Sequence, residues 1–342
     1  MTNSDAIDDQ KIIDEDEESH KLCVRRNNVK NLGKQLDEFY NSIAPTSAEI
    51  KCRRYVLKCL ASAIESGIPN TKVVPFGSFS TELIIRSSDI DIGVLLLDPQ
   101  MEMEPPNNYL VKIKSILSNH KIVEKRSIFH IWSSRVPIIK FRDSIFGFKV
   151  DISMNQSKGV KAARFMNDIL QMYPQMKMFT IMLKYFLAQR NLSDASTGGL
   201  NSYSQFLLVM NFFVMKMDES GKVVFDDIGM LFLEFFEFYG YKFVNLPPQS
   251  DSLPLLRIFV KYESILSIED PTDPGCDVAM ACKKYVQIKS AFKRAFVFMS
   301  IAIEKEDHSK DILSIWFNKD KKEAYERERI DLLHSEIFRC RQ

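Results

Sequence analysis

Two short stretches in which aspartates alternate with apolar residues constrain the fold of this chain most. Residues 89–94 contain two aspartates between isoleucines, and residues 148–152 place an aspartate between valine and isoleucine. Successive side chains of a strand point to opposite faces, so each stretch predicts a strand with one apolar and one acidic face. If the two strands are neighbours, Asp89, Asp91 and Asp151 meet at one site.

A divalent cation is the ligand that this arrangement predicts. Two carboxylates about 7 Å apart on a strand repel each other unless a cation lies between them. A site made of oxygen ligands favours a hard ion such as Mg²⁺. Upstream, Gly77 and Ser78 could cradle phosphate oxygens with backbone N–H groups and a hydroxyl. A lone Gly-Ser or Asp-x-Asp is more often structural, but the combination predicts metal-dependent nucleotidyl transfer.

The charge of the chain is unevenly distributed. Residues 1–20 contain eight acids and one lysine, whereas the remaining residues contain 45 Lys and Arg against 37 Asp and Glu. The basic body suits a polyanionic partner, although a charge of +8 on so large a surface is also unremarkable. The acidic tail has few aromatic residues and predicts disorder. The longest apolar run is too short for a membrane span, so no membrane partner is expected.

Local patterns predict an α+β fold. Thr46 and Glu49 form a capping-box pattern at the start of a helix that ends at Gly67. Short strand-like runs follow up to residue 155, and from residue 159 onward the periodicity is helical. The expected architecture is a small mixed sheet with helices, followed by a mainly helical domain.

Longer motifs around these residues resemble a known superfamily. Residues 75–83, PFGSFSTEL, and 87–91, SSDID, are similar to the DNA polymerase β superfamily of nucleotidyltransferases. Residues 148–156, 159–163 and 197–204 look like the template-independent poly(A) polymerases of the TRAMP complex, whose relatives are the terminal uridylyltransferases.

The resemblance covers roughly residues 46–300 and implies a division of the chain into five segments. They are a disordered acidic tail (1–20), an N-terminal helix packing on the central domain (21–45), a nucleotidyltransferase catalytic domain (46–158), a helical central domain (159–305) and a charged C-terminal segment (306–342).

The resemblance also implies roles for individual residues. Asp89 and Asp91 would bind two Mg²⁺ or Mn²⁺ ions, and Asp151 would help to bind the ion that activates the RNA 3′-hydroxyl. The implied nucleotide-binding residues are Phe76, Gly77 and Ser78 at the triphosphate, Lys184 and Ser202 at phosphates, Tyr203 stacked on the base and Asn155 near the ribose. The alternative to these binding roles is purely structural: Lys184 would lie on a solvated helix face, and Tyr203 would be an aromatic residue of the core.

The predicted base-recognition loop departs from the family pattern. Its discriminating position holds Cys276, whose thiol is a weak donor and acceptor. Asp270 and Asp273 could compensate for it. The two further departures are Ala279 and Met280.

The function that follows is addition of AMP from ATP to RNA 3′ ends without a template, in RNA surveillance and decay. The implied partners are the RNA 3′ end, a zinc-knuckle RNA-binding protein and an RNA helicase, and the nucleus is favoured over the cytoplasm. The alternatives are a uridylyltransferase or relaxed-specificity enzyme, an inactive scaffold in an RNA-decay complex, and a small-molecule nucleotidyltransferase.

Overall fold

The computed structural model describes residues 3–120, 123, 125–132, 136–225, 227–243, 256–305 and 311–318. Its helices are α1 (Asn3–Ile43), α2 (Ser47–Gly67), α3 (Gly77–Ser80), α4 (Pro106–Ser118), α5 (Ser157–Met172), α6 (Gln175–Ala188), α7 (Ser202–Val214), α8 (Ile228–Glu237) and α9 (Tyr285–Ile303). Its strands are β1 (Thr71–Phe76), β2 (Ile90–Leu96), β3 (Phe129–Ile131), β4 (Ile138–Arg142), β5 (Lys149–Met154), β6 (Ile258–Lys261), β7 (Ile265–Asp270) and β8 (Asp273–Asp277).

The first helix is longer than the sequence predicts. Helix α1 begins at Asn3, so the acidic segment expected to be disordered is helical instead. Residues 3–20 contain neither Gly nor Pro, and acids toward a helix N-terminus interact favourably with the helix dipole. A helix already nucleated by tertiary packing also extends more readily than an isolated one forms. That packing involves α1 residues from Val29 to Ile43, which contact the helical core.

Helix α2 begins and ends where the sequence predicts. The Thr46 side chain accepts from the Glu49 backbone N–H, and the Glu49 carboxylate accepts from the Thr46 backbone N–H. This capping box satisfies two N–H groups that would otherwise lack a partner at the helix start. The helix ends at Gly67, directly before the turn into the first strand.

A five-stranded mixed sheet in the order β1-β2-β5-β4-β3 carries the predicted acidic residues. Strands β2 and β5 are parallel neighbours, and the other pairs are antiparallel. The apolar face of the sheet forms one core with helices α2 and α4. Ile90, Ile92 and Val150 are fully buried in that core. The opposite face therefore carries the aspartates, as the alternation predicts.

A second, larger core is built mainly from helices α1 and α5 to α9. Stacked and edge-on phenylalanines from α6, α7 and α8 form its centre, with Phe179 and Phe232 stacked at 3.8 Å between ring centroids. The described part of the chain thus has one core at the five-stranded sheet and another among the helices. The predicted boundary at residues 158–159 falls inside α5, which contacts both β1 and α6.

Two features of the helical domain differ from the sequence prediction. A three-stranded antiparallel sheet, β6-β7-β8, is inserted before α9. Gly240 follows the helical periodicity of residues 226–239 and is predicted to close that helix. Instead, α8 is followed by a π-helical turn, Phe238–Lys242, which contains Gly240. The sequence also predicts a Pro-rich loop at 245–254, which lies outside the described residues. Of the predicted C-terminal segment, the structure describes residues 311–318. No described helix has the length and apolar character needed to cross a bilayer.

Candidate active site

The strand pairing brings two of the predicted carboxylates side by side. Asp91 on β2 lies directly opposite Asp151 on the parallel strand β5. Phe76, the last residue of β1, lies opposite Asp91 on the other side. Asp89 comes two residues before Asp91, at the entry to β2. The predicted convergence of the three aspartates on one face of the sheet therefore follows from the register.

The electrostatics of the cluster show that these carboxylates repel one another. Burial, followed by the charges of Asp151 and Asp89, raises the pKa of Asp91 to about 7. Burial also raises the pKa of Asp151, against the attraction of Lys140. Like charges held together in this way favour protonation or the binding of a cation. The site is consequently suited to hold positive charge.

Gly77 makes a close approach to this cluster. It has a φ of +63°, a backbone conformation that residues with a side chain rarely adopt. A Cβ atom at this position would collide with the carboxylate of Asp91. The short helix α3 starts at this residue, and Ser78 beside it is buried. The predicted Gly-Ser turn thus lies against the predicted acids.

Lys140 borders the acids, as the sequence predicts, where it would be either a contact for primer phosphates or an exposed strand lysine. It lies on β4 directly opposite Asp151, and its ammonium group pairs with the Asp151 carboxylate. Its neighbours Ile139 and Phe141 are both buried. It supplies positive charge at the outer side of the cluster.

The residues fit a divalent metal by their chemistry. As placed, no group of three or more His, Cys, Asp or Glu side chains in the described part of the chain is arranged to hold a metal ion. One oxygen of Asp151 is paired with Lys140 instead. The donor set nevertheless consists of carboxylates only, and their mutual repulsion is what a hard divalent cation relieves.

The Phe76 ring is packed between two glycines on the same face of the sheet. A Cβ at Gly159 would lie 2.8 Å from the ring, and one at Gly93 would lie 3.6 Å from it. Phe76 is therefore next to the acids, at the start of α5.

Asn155 lies elsewhere: its side-chain oxygen accepts from the Leu96 backbone N–H at the far end of β2. The structure does not bring Asn155 to the aspartates.

Lys184 lies beneath the loop that leads into β2. Its ammonium group donates to the Leu83 carbonyl at 3.1 Å and to the Ser88 hydroxyl at 2.9 Å. Burial lowers the pKa of Lys184 to about 8, against the opposing effect of Asp91. The side chain is buried, so the structural alternative of a solvated helix face is wrong. In this structure the hydrogen bonds of Lys184 stabilise the loop before Asp89.

Tyr203 lies at the start of α7 and is held by the small sheet. Its hydroxyl donates to Oδ1 of Asp270 at 2.9 Å. The same carboxylate oxygen of Asp270 also accepts from the Thr272 backbone N–H and hydroxyl, both at 2.8 Å. Burial and then this hydrogen bond raise the pKa of Tyr203. The ring is half-buried, so part of it is accessible. Asp270 is buried and fully engaged in holding Tyr203.

Two further residues of the predicted base-recognition loop, Asp273 and Cys276, lie on β8. Asp273 pairs with Lys158 at 2.6 Å, which connects β8 to the first turn of α5. Cys276 is half-exposed on the same strand. Both predicted compensating carboxylates, Asp270 and Asp273, are therefore engaged with protein groups in this structure.

The start of α7 is tied to the strand after Cys276. Asn201 caps the helix by accepting from the Ser204 backbone N–H, and its amide donates to the Val278 carbonyl at 2.7 Å. The Ser204 hydroxyl donates to the same carbonyl. Ser202, the first residue of the helix, is half-buried. Helix N-termini favour phosphate, which agrees with the predicted place of Ser202.

Comparisons with known proteins agree with this geometry. A family model, the central palm domain of mitochondrial-like poly(A) RNA polymerases, matches residues 32–175. Poly(A) RNA polymerase CID14 of Cryptococcus neoformans is 30% identical over 292 residues, which cover 82% of this chain and 38% of that protein. The solved polymerase core of TRAMP, an RNA surveillance complex, superposes with a TM-score of 0.68 and 25% identity, covering 84% of this chain and 91% of that one.

One relative is described as inactive. The inactive poly(A) RNA polymerase protein Trf4-2 of Drosophila melanogaster is 25% identical over 291 residues, which cover 80% of this chain and 70% of that protein. Overall similarity therefore does not by itself establish catalysis, and the site residues must be considered individually.

The fold and the aspartate-bearing sheet are those of the polymerase β-like nucleotidyltransferase fold class. Within that class the chain is similar to the poly(A) RNA polymerases of the TRAMP type, the group that its motifs resemble. It spans about two fifths of the length of the curated poly(A) polymerases that it matches first.

Proposed function

We propose that this protein transfers AMP from ATP to the 3′ end of RNA without a template. The observation that carries the proposal is the register of Asp91 with Asp151 beside the Gly77 turn. This arrangement places acidic ligands next to backbone N–H groups that suit phosphate. The similarity to poly(A) RNA polymerases supports ATP as the nucleotide and RNA as the acceptor.

Different residues of the site would bind the metal ions, the triphosphate and the base. Asp89, Asp91 and Asp151 would hold two Mg²⁺ or Mn²⁺ ions, which would activate the attacking hydroxyl and neutralise the leaving pyrophosphate. Gly77 and Ser78 would orient the triphosphate. The structure supports an indirect part for Lys184, which fixes the Ser88 hydroxyl and thereby the approach to Asp89.

Base recognition would rest on stacking. Tyr203 presents a half-buried ring that Asp270 holds by its hydroxyl. Stacking suits an enzyme without a template because it needs no pairing partner, and each stack contributes about 1–3 kcal/mol. With Asp270 and Asp273 engaged by the protein and Cys276 a weak partner, preference for adenine over uracil would be modest. A uridylyltransferase or an enzyme of relaxed specificity is therefore the first alternative.

The test is extension of a 5′-labelled RNA oligonucleotide with Mg²⁺ or Mn²⁺ and each NTP separately. We expect a ladder with ATP that is absent in Asp89→Ala. Asp168, an exposed acid on α5, provides the matched control, and Asp168→Ala should extend RNA like the unmodified protein.

The outcome with other nucleotides decides between the alternatives. A ladder with UTP alone would identify a uridylyltransferase, and equal ladders with several NTPs would identify relaxed specificity. Extension that ignores added RNA and uses a small acceptor would contradict the RNA assignment.

An inactive scaffold is the second candidate function, because a relative described as inactive matches most of the chain. The retention of all three aspartates and of the Gly77 turn favours an active enzyme. A protein that binds RNA but neither ATP nor Mn²⁺ would support the scaffold.

The resemblance to the TRAMP core extends the proposal to the cellular role. We propose action in RNA surveillance and decay, with a zinc-knuckle RNA-binding protein and an RNA helicase as partners and the nucleus as location. Co-purification of such partners with the tagged protein would test this part separately from catalysis.

A further inference from the structure

Helix α9 carries three neighbouring apolar side chains on its solvent-facing side. Val297, Phe298 and Ile301 are 38%, 54% and 49% exposed. Residues three and four apart on a helix are neighbours on its surface, so the three side chains form one contiguous patch, which we call the apolar row. Single exposed apolar residues are ordinary, whereas a contiguous patch of them is typical of a surface that binds another segment or molecule.

The chain returns to α9 close to the apolar row. Trp316 is buried, and its indole N–H donates to the Ala295 carbonyl at 3.0 Å. Phe298 follows Ala295 by three positions, so the two residues are neighbours on the helix surface. Ile315, the residue before Trp316, is 36% exposed. Residues 315 and 316 therefore lie within about one helical turn of the apolar row.

Asn318, two positions later, is held at the end of α6. Its backbone N–H donates to the Gln189 side-chain oxygen at 2.9 Å, and the Gln189 amide donates to the Asn318 carbonyl at 3.4 Å. Arg190 donates to the Trp316 carbonyl at 2.9 Å. These hydrogen bonds fix the point from which residues 319–342 continue, and that point is two residues from the contact with α9.

The sequence after Asn318 contains an amphipathic pattern. Ile330, Leu333 and Ile337 recur at positions i, i+3 and i+7, which a helix would place on one side, and we call them the C-terminal stripe. Residues 319–329, in contrast, consist almost entirely of charged side chains. A helix as short as this stripe is marginal in water by itself, and packing of its apolar side is what stabilises it. The pattern therefore predicts a helix that needs an apolar surface.

We propose that residues 330–340 form a helix that packs the C-terminal stripe against the apolar row of the same molecule. The connecting residues 319–329 reach up to about 36 Å when extended, whereas Ala295 and Ile301 are only about 9 Å apart along α9. A helix over residues 330–340 is about 16 Å long, which is enough to cover the row. A tether this short also holds the stripe at a high effective concentration, which favours it over a segment of another molecule.

Cross-linking in the 342-residue chain tests the contact directly. Cys340 follows Ile337 by three positions and provides a natural thiol beside the C-terminal stripe. In Ile301→Cys, a short bismaleimide should join positions 301 and 340 within one molecule, as identified by mass spectrometry of the linked peptides. Val286 provides the matched control: it is 53% exposed on the same helix but about 22 Å away along the axis, so Val286→Cys should not be joined to Cys340.

The size of the linked product identifies the occupant of the apolar row. A product of monomer size that contains the 301–340 link supports the proposal. The same link in a product of dimer size would assign the row to the C-terminal stripe of a second copy. Absence of the link, when N-ethylmaleimide shows that both thiols react, would leave the row to another protein. Either of these two results would overturn the proposal.

Proteolysis gives a second readout that needs no introduced cysteine. A protease specific for glutamate should cleave after Glu326 quickly and after Glu336 slowly, because a packed helix must open before it is cut. We expect Phe298→Ser and Leu333→Ser each to accelerate cleavage after Glu336 by about tenfold or more, whereas Val286→Ser leaves it unchanged. Synthetic peptides of residues 319–342 with and without the Leu333 change correct for the intrinsic cleavage rate, and melting curves show that every variant is folded.

The double variant shows whether the two side chains belong to one contact. If Phe298 and Leu333 pack against each other's helix, Phe298→Ser/Leu333→Ser should be cleaved after Glu336 no faster than either single variant, because the first change already removes the contact. Accelerations that multiply, or cleavage after Glu336 that equals that of the free peptide in the unmodified protein, would contradict the proposal. None of these measurements uses RNA, nucleotide or metal, so their outcome is independent of the proposed function.

Discussion

At the scale of single residues, Gly77 connects backbone conformation to the site. Its φ of +63° and its contact with the Asp91 carboxylate are separate constraints. Gly147 has a similar φ of +71° but has no atom within 4 Å of an added Cβ. The two glycines therefore share a left-handed backbone conformation and differ in their neighbours.

We predict that Gly77→Ala and Gly147→Ala lose similar stability but different activity. A left-handed conformation costs a residue with a Cβ about 1–2 kcal/mol, so urea denaturation should show a loss of this size in Gly147→Ala, and at least as much in Gly77→Ala. RNA extension should fall by about 100-fold or more in Gly77→Ala alone, because the methyl group displaces Asp91. Equal activities in the two variants would argue against contact between the turn and the acids.

Whether a site residue and its role could be predicted from the sequence depends on how close together in the chain the interacting residues lie. The three aspartates and Gly77 are found from alternation and spacing within short segments. The partners of Tyr203 and Lys184 are not, because those hydrogen bonds join residues 67 and 96 positions apart. Asp270 is an example. The sequence suggests that its carboxylate is free to recognise the base, and only the folded structure shows that it accepts a hydrogen bond from Tyr203.

At the scale of elements, α2 and α6 support the loop before β2 from two sides. Arg53 of α2 is buried, donates to the Ser88 carbonyl at 2.9 Å and lies 4.3 Å from the centre of the Phe148 ring. Lys184 of α6 donates to the Ser88 hydroxyl. The position of Asp89, the next residue, thus depends on two helices.

We predict that Arg53→Met lowers the free energy of unfolding by about 1–3 kcal/mol, because buried acceptors lose their donor. RNA extension should fall with it, because the loop before Asp89 loses one of its supports. Arg54 is the control: its guanidinium is exposed and pairs with Glu82 at the surface, so Arg54→Met should cost at most about 1 kcal/mol. Urea denaturation of both variants checks this, and equal losses would refute a special role for Arg53.

Element prediction succeeded where one pattern dominates. The capping box of α2 and the alternation of β2 and β5 specify those elements locally. The sheet β6-β7-β8 was missed, although the segment around Asp270 was assigned to a loop of the site. Residues 273–277, DPGCD, have low intrinsic preference for strands, and their pairing with β7 is a tertiary effect.

At the scale of the whole molecule, the charge state of the acidic cluster links stability to pH and metal. The pKa of Asp91 is raised to about 7, so below pH 7 this carboxyl carries a proton that a cation must displace. A raised carboxyl pKa stabilises the folded protein at low pH, and this contribution is lost as the pH rises through 7. Metal binding at the ionised cluster would offset this loss above pH 7.

We therefore predict that Mg²⁺ with ATP raises the melting temperature more at pH 8 than at pH 6. In Asp91→Asn the rise should be smaller at both pH values, because the variant lacks one of the three carboxylates assigned to the metal ions. Differential scanning fluorimetry measures both. A rise that is independent of pH in the unmodified protein would contradict the coupling of Asp91 to the metal.

The most direct test of the central claim separates nucleotide binding from transfer in Asp151→Asn. Asp151 is assigned to activation of the RNA hydroxyl, whereas Asp89, Asp91 and the Gly77 turn are assigned to the nucleotide. The account predicts that the variant binds ATP with an affinity close to that of the unmodified protein while single-turnover extension of RNA falls by at least about 1,000-fold, since several kcal/mol of transition-state stabilisation are lost. Transfer within tenfold of the unmodified rate would contradict the account.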